Sequence, residues 1–305
     1  MTDMRSILLA LLLLVFGSVN AFSQPPSTRV VKANGAEFHY TEKGEGPTVV
    51  FLHGGIGDYR AWNGQFDDFA KSYRVISYSR RFHYPNRNQA PPKPYSVFTE
   101  AEDLRAFLNA LDVKNAHFVG TSIGAFVALV LAIRHPEMVR SLVLGEPPVH
   151  QLIRSEPGGE KVYQDFVDSL RPVREAFERG DERAAMRLFG HSLGRDFDRL
   201  PASVIEQQMQ NAPGVRANIL AHDPFPVIPD SSLAKVKVPV LLITGENTVL
   251  IHRLVDQKLS RLLPNVRRSL IAGAGHTPYR EKTTEYNTAV LAFLRDASRN
   301  SAKNK

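Results

Sequence analysis

One five-residue run limits what this chain can fold into more than any other: Gly120-Thr121-Ser122-Ile123-Gly124. It stands between two apolar stretches of different character. Ala116 to Val119 has the length of a strand, while Ala125 to Ile133 is a small-residue apolar segment ended by His135-Pro136, since proline cannot continue a helix. The run is therefore a tight strand-to-helix reversal. Glycines flank the serine because so sharp a turn leaves no room for Cβ atoms against strand and helix. Such a turn holds Ser122 Oγ out at the carboxyl end of a sheet, and the helix start offers backbone N–H groups to a developing anion.

The rest of the chain supplies the sheet this turn needs. Arg29 to Lys32 and Ala36 to Thr41 read as strands around an Asn34-Gly35 turn, a hairpin signal. Thr48 to Leu52 is a buried-strand run that ends in His53-Gly54-Gly55-Ile56-Gly57. Trp62, Phe66 and Phe69 follow at helical spacing and read as core, as does Phe126. Tyr73 to Ser79 is the next strand, and a Pro-rich loop from Tyr84 to Tyr95 leads to a helix carrying Leu104, Phe107, Leu108 and Leu111. Arg140 to Leu144 is a short strand after the Ser122 turn.

From 149 to 234 strand-like runs stop. Val162, Phe166, Leu170, Val173 and Phe177 share one helical face, followed by Ala184 to Leu188 and Ala202 to Met209 with prolines between them. This block reads as a helical cap inserted into a core formed by 24–148 and 235–298. Alternation then resumes with a strand at Val238 to Thr244, a helix at Leu250 to Leu263, a strand at Ser269 to Ala272 and a last helix presenting Tyr286, Ala289, Val290, Phe293 and Leu294. Residues 299–305 read as a polar tail. Strands alternating with helices imply a mostly parallel sheet covered on both faces, an α/β fold. The 305 residues suit one such domain with an insertion better than two full domains.

The N-terminus carries a different message. Arg5 precedes an apolar run from Ile7 to Phe16, and small and polar residues follow through Val19-Asn20-Ala21. This is the layout of a secretory signal over 1–23, too short for a comfortable membrane span, with cleavage expected after Ala21 or Ser23. An exported protein, periplasmic or extracellular, is the expectation; an uncleaved membrane anchor is the alternative. There is no cysteine, hence no disulfide framework and no lipid-attachment site. The net charge of +7 comes from 38 basic and 31 acidic residues spread along the chain, with only short clusters such as Arg80-Arg81 and Arg267-Arg268. Without a basic stripe or a binding motif, that balance describes a soluble basic surface and gives no support to nucleic-acid binding.

The order of motifs resembles the α/β-hydrolase superfamily. His53-Gly54-Gly55 follows one strand, the Ser122 turn a later one, then come a helical insertion and Gly273-Ala274-Gly275-His276 near the end. The likeness covers roughly Val30 to Leu294 and is specific for the fold, much less for the substrate. It implies that Ser122 is the nucleophile, His276 the general base, and the backbone N–H groups of Gly55 and Ile123 the oxyanion hole, with His53 a structural residue beneath that loop. The chemistry agrees, because a serine hydroxyl needs a neighbouring base and histidine can serve near neutral pH.

The acid departs from the family pattern. Most relatives place Asp three residues after the glycine closing the penultimate strand, but here Gly245-Glu246-Asn247-Thr248 puts a threonine there, which cannot hold a charge beside an imidazolium. Glu146 follows the strand Arg140 to Leu144, the position used by some branches, certain haloalkane dehalogenases among them. Glu246 is its rival, and Asp256 or no acid at all remain open. A second departure is Ser79-Arg80-Arg81-Phe82-His83-Tyr84-Pro85-Asn86, where Arg81, His83 or Tyr84 either face substrate or brace the loop.

A serine nucleophile cannot form the alkyl-ester intermediate of Asp-based dehalogenases and epoxide hydrolases, and suits acyl transfer to water. Hydrolysis of a carboxylic ester or lactone of a small-to-medium substrate, under a lid, is the leading expectation. Carbon–carbon bond hydrolysis, cofactor-free perhydrolase or haloperoxidase chemistry, and a non-turnover ligand receptor are the alternatives. No metal or organic cofactor is implied.

Overall fold

The computed structural model describes residues 28–88 and 95–303; the expected signal, 1–23, lies outside them. Eight strands form one sheet: β1 (Arg29–Ala33), β2 (Ala36–Lys43), β3 (Thr48–Leu52), β4 (Arg74–Tyr78), β5 (Ala116–Thr121), β6 (Val139–Gly145), β7 (Val240–Gly245) and β8 (Val266–Ile271). Their spatial order is β1-β2-β4-β3-β5-β6-β7-β8. Only β2 runs antiparallel to its neighbours; β3 to β8 are parallel. The β1–β2 turn has Asn34 and Gly35 at φ 46° and 69°, the left-handed pair that a two-residue hairpin requires.

Helices cover both faces: α1 (Asn63–Ala70), α2 (Val97–Ala110), α3 (Ile123–Arg134), then α4 (Gly159–Glu178), α5 (Glu182–Ser192), α6 (Ala202–Met209), α7 (Ala212–Leu220) and α8 (Asp230–Leu233) between β6 and β7, and finally α9 (Leu250–Leu262), α10 (Pro278–Glu281) and α11 (Thr283–Lys303). Strand side chains alternate between two cores with period two. Val50, Leu52, Phe118, Leu142 and Leu242 pack with α2, α3 and α9, whereas Val49, Phe51, Val119, Val143 and Ile243 pack with α1 and α11. Burial on both faces explains why these strands read as continuous apolar runs. A third, separate cluster of Val173, Phe177, Met186, Phe197 and Val215 holds α4, α5 and α7 to one another.

Strand order and register place the site. The chain moves outward from β3 to β4 and then returns to the other side of β3 as β5, so a crevice opens at the carboxyl ends of β3 and β5. Leu52 pairs with Gly120, Thr121 with Gly145, and Gly145 with Ile243, which brings the loops leaving β3, β5, β6 and β7 level with each other.

Three local readings change. β8 begins at Val266, three residues before the expected start, because Arg267 and Arg268 mask an edge strand whose outer side is exposed. Helix α7 is hidden by Pro213-Gly214, which reads as a breaker but sits in the first turn, where proline is tolerated. Helix α11 runs on to Lys303, through much of the stretch expected to be a polar tail from 299.

Candidate active site

The turn after β5 has the geometry its composition demands. Ser122 adopts φ 51° and ψ −125°, a conformation costly for any residue with a side chain. A Cβ at Gly120 would lie 2.7 Å from the Ala125 backbone, and one at Gly124 would lie 2.4 Å from Leu52 O. Nothing but glycine fits either place. Ser122 N–H is anchored to Gly145 O at 2.6 Å, which ties the turn to the end of β6.

Of the candidate acids, Glu146 reaches His276. Its Oε2 lies 2.5 Å from His276 Nδ1, and both side chains are buried. The carboxylate has two further donors: Gly245 N–H to Oε1 at 2.9 Å and Thr248 Oγ1 to Oε2 at 2.7 Å. Thr248, which occupies the family's usual acid position, thus holds the acid supplied by another strand. Glu146 itself sits at φ 48°, turned inward by a left-handed kink at the tip of β6. Glu246 is turned away and accepts the Gly273 N–H at 2.8 Å. Asp256 is taken by Thr244 Oγ1 and the Arg268 guanidinium.

Gly55 and Ile123 both line the cavity at Ser122. Ile123 opens α3, so its N–H is among the donors that a helix start leaves without an intrahelical acceptor. The loop carrying Gly55 rests on His53. His53 Nε2 accepts the Arg80 N–H at 2.9 Å, so Nδ1 carries the proton and donates to Gly54 O at 2.8 Å. Burial, with the Arg80 charge second, lowers the His53 pKa to about 3 and keeps the ring neutral. Arg80, itself buried, pairs with Glu100 and reaches Gly54 O and His83 Nε2. Arg81 pairs with Asp103 and Asn34 O, while Tyr84 N–H donates to Asn211 Oδ1. The segment after β4 therefore braces the loop carrying Gly55 and the helix bearing Asn211's neighbours.

Two small spaces border the serine, and a third shares wall residues with one of them. Ser122, Thr121, His276, Arg195 and Arg280 line a lobe of about 30 Å³. A second lobe of about 40 Å³ meets Ser122, Gly55 and Ile123 on one side and Phe166, Leu170, Val215 and Ile219 of the cap on the other. Beyond it lies a more open vestibule of about 490 Å³, which shares His150, Phe166, Leu170, Asn218, Ile219 and Phe225 with the second lobe. Trp62 lies in the core, stacked on Phe51 at 4.7 Å, and Phe126 is fully buried.

Sequence reasoning passed over His252, His150, Asn218 and Arg195, which lie in different segments and converge only in the fold. His252 stacks on His276, with ring centres 4.4 Å apart and planes 12° from parallel, and burial drives its pKa well below the usual histidine range. Glu146, His252 and His276 each offer a ligand atom within 4.8 Å of the others, a spacing that would also suit a metal ion; His191, Asp196 and Asp198 form a similar but exposed group.

Residues 47–283 match the alpha/beta hydrolase fold family. The chain belongs to that family. Among curated sequences it resembles the uncharacterized hydrolase YraK of Bacillus subtilis, 34% identical over 45% of this chain and 50% of YraK. It also resembles bifunctional epoxide hydrolase 2 of Sus scrofa, 24% identical over 87% of this chain and 54% of that protein. These two matches span about half the length of each relative. Similar solved structures include Est816, described as an N-acyl homoserine lactone degrading enzyme, at 24% identity and TM-score 0.69, covering 87% of this chain and 100% of that one. Carboxylesterase CesB from Bacillus subtilis aligns at 22% identity and TM-score 0.70, covering 89% of this chain and 92% of CesB. At such identities the structural likeness speaks for the fold. The chain has the α/β-hydrolase fold, and among its described residues no helix is long and apolar enough to cross a membrane.

Proposed function

We propose that this chain is a serine hydrolase that cleaves a carboxylic ester or lactone of a small-to-medium, largely apolar substrate through an acyl-enzyme. The observation that carries the reading is the convergence of the strained Ser122 turn with a His276 ring bound to Glu146, both on one lobe. With Nδ1–H donating to Glu146, His276 Nε2 is left as the basic nitrogen. It takes the Ser122 proton as Oγ attacks the carbonyl, and the Gly55 and Ile123 N–H groups receive the oxyanion. The imidazolium, stabilised by Glu146, returns the proton to the leaving group; water then repeats the sequence on the acyl-enzyme. Tight packing of the lobes beneath the cap supports a reaction sheltered from bulk water.

Cleavage of a carbon–carbon bond in a diketone-like substrate is a second reading with one observation in its favour. Arg195 and Arg280 border the lobe that holds His276, where the enolate expelled from such a substrate would carry negative charge. The N-terminal pattern supports export, with a mature chain lacking its first two dozen or so residues, a reading that intact-mass measurement on exported material decides.

Steady-state hydrolysis of p-nitrophenyl esters and labelling by a fluorophosphonate probe test the first reading. Both should vanish in Ser122→Ala. Turnover that survives the substitution removes Ser122 from the mechanism, and labelling without turnover of any ester favours a receptor.

A further inference from the structure

Asn218 stands on α7, buried, with an orientation fixed by its own helix: Nδ2 donates to Gly214 O, one turn back, at 3.0 Å. That bond assigns the other amide atom. Oδ1 is the bare acceptor, without a partner among the described residues. Asn218 belongs to the wall of the Ser122 lobe, where its neighbours Phe166, Leu170, Val215 and Ile219 are apolar. A second polar atom in the same wall, His150 Nε2, also has no partner among the described residues. Leaving a buried acceptor unsatisfied is costly, and a leucine at the same helical position would avoid that cost.

The lobes also divide the substrate. His276 must protonate the leaving group, so the leaving group occupies the lobe that His276 lines. The other lobe, bordered by Ser122, Gly55 and Ile123 and sharing wall residues with the vestibule, is left for the acyl part. Asn218 is in that second wall.

We infer that Asn218 Oδ1 recognises a hydrogen-bond donor on the acyl portion of the substrate, a hydroxyl or a secondary amide N–H, and makes this enzyme selective for functionalised over plain alkyl acyl groups. The inference rests on the serine-hydrolase reading and deepens it. A lobe of about 40 Å³ has room for one water. A donor-bearing acyl chain gives Oδ1 a partner, whereas a plain chain leaves it bare. Sites built to bond a substrate donor reject analogues lacking it much more strongly than apolar pockets reject a missing methylene.

The test compares p-nitrophenyl hexanoate, 3-hydroxyhexanoate and N-acetylglycinate, with each kcat/KM divided by the ester's hydroxide-catalysed rate to remove intrinsic reactivity. The wild-type protein should favour at least one donor-bearing ester by about tenfold or more. The two arms tell hydroxyl from amide recognition. Asn218→Leu should bring the ratio close to one; a purely structural role would slow all three in proportion and preserve it. The wild-type ratio stands by itself should the variant fail to fold. Equal rates for all three esters, still dependent on Ser122, overturn this inference and leave the hydrolase reading intact. Absence of Ser122-dependent turnover of every ester overturns both.

Discussion

Glu146→Gln keeps the size of the side chain and removes its charge, and the hydrogen bonds around it dictate how the site responds. The carboxylate accepts from Gly245 N–H on Oε1, and from Thr248 and His276 on Oε2. A backbone N–H can only donate, so the single glutamine oxygen must face Gly245. The NH2 group then faces His276 and demands that Nδ1 accept. The ring is forced into the Nε2–H tautomer, with no lone pair for the Ser122 proton. Loss of the correct tautomer and of the counter-charge lowers kcat by about 10³–10⁴, equivalent to about 4–5.5 kcal/mol of barrier. KM should barely move, because Glu146 does not border the acyl lobe. Steady-state ester hydrolysis measures this, with Glu246→Gln as the control, since the Glu246 carboxylate accepts from Gly273 N–H, away from His276, and its loss should cost less than about threefold. Adding Thr248→Asp to the Glu146→Gln protein puts a carboxylate back beside the ring and should restore about tenfold or more. A folded Glu146→Gln protein within tenfold of wild type would refute the chain of reasoning.

Two further outcomes concern stability. His53 and His150 have pKa values lowered to about 3 and His117 to about 4, in each case chiefly by burial. Their unfolded forms bind protons first, so stability is complete above the ordinary histidine range and falls as pH drops from about 6.5 toward 4, by about 2 kcal/mol per histidine at pH 5. Urea midpoints measured against pH check this, and His117→Asn should make the dependence shallower. Arg80→Met leaves Glu100 charged and buried with the Tyr95 hydroxyl but no cationic partner, and removes one of the donors that hold Gly54 O. It should destabilise by about 3–5 kcal/mol in denaturant and also slow the esterase step; full activity in the folded variant would show that the loop holds itself.

Much of the fold is legible directly, because strands buried on both faces carry unbroken apolar runs and the Ser122 turn carries its glycines. Relations between distant residues are not. Thr248 has the look of a missing acid, yet its hydroxyl bonds a carboxylate 102 residues away, and only strand register shows that. The His252 stack on His276 has no local signal either, since a histidine in the first turn of an amphipathic helix reads as surface. Sequence leaves Arg81, His83 and Tyr84 open between substrate and scaffold; in the fold Arg81 pairs with Asp103, His83 with Arg80, and the Tyr84 ring lies under the Arg60 guanidinium. The expected signal at 1–23 falls outside the described residues.

Four residues other than glycine have positive φ in the described chain: Asn34, Asp112, Ser122 and Glu146. Asparagine and aspartate tolerate that region; serine and glutamate do not, and each misfit stores about 1–3 kcal/mol. Against a net stability on the order of 5–15 kcal/mol this is a sizeable internal load, concentrated on Ser122 and Glu146. Drift to glycine at either position would relax the backbone and silence the chemistry in one step. On the proposed mechanism, a lineage released from the need for turnover would tend toward a sturdier, inert descendant, without the two strained bends.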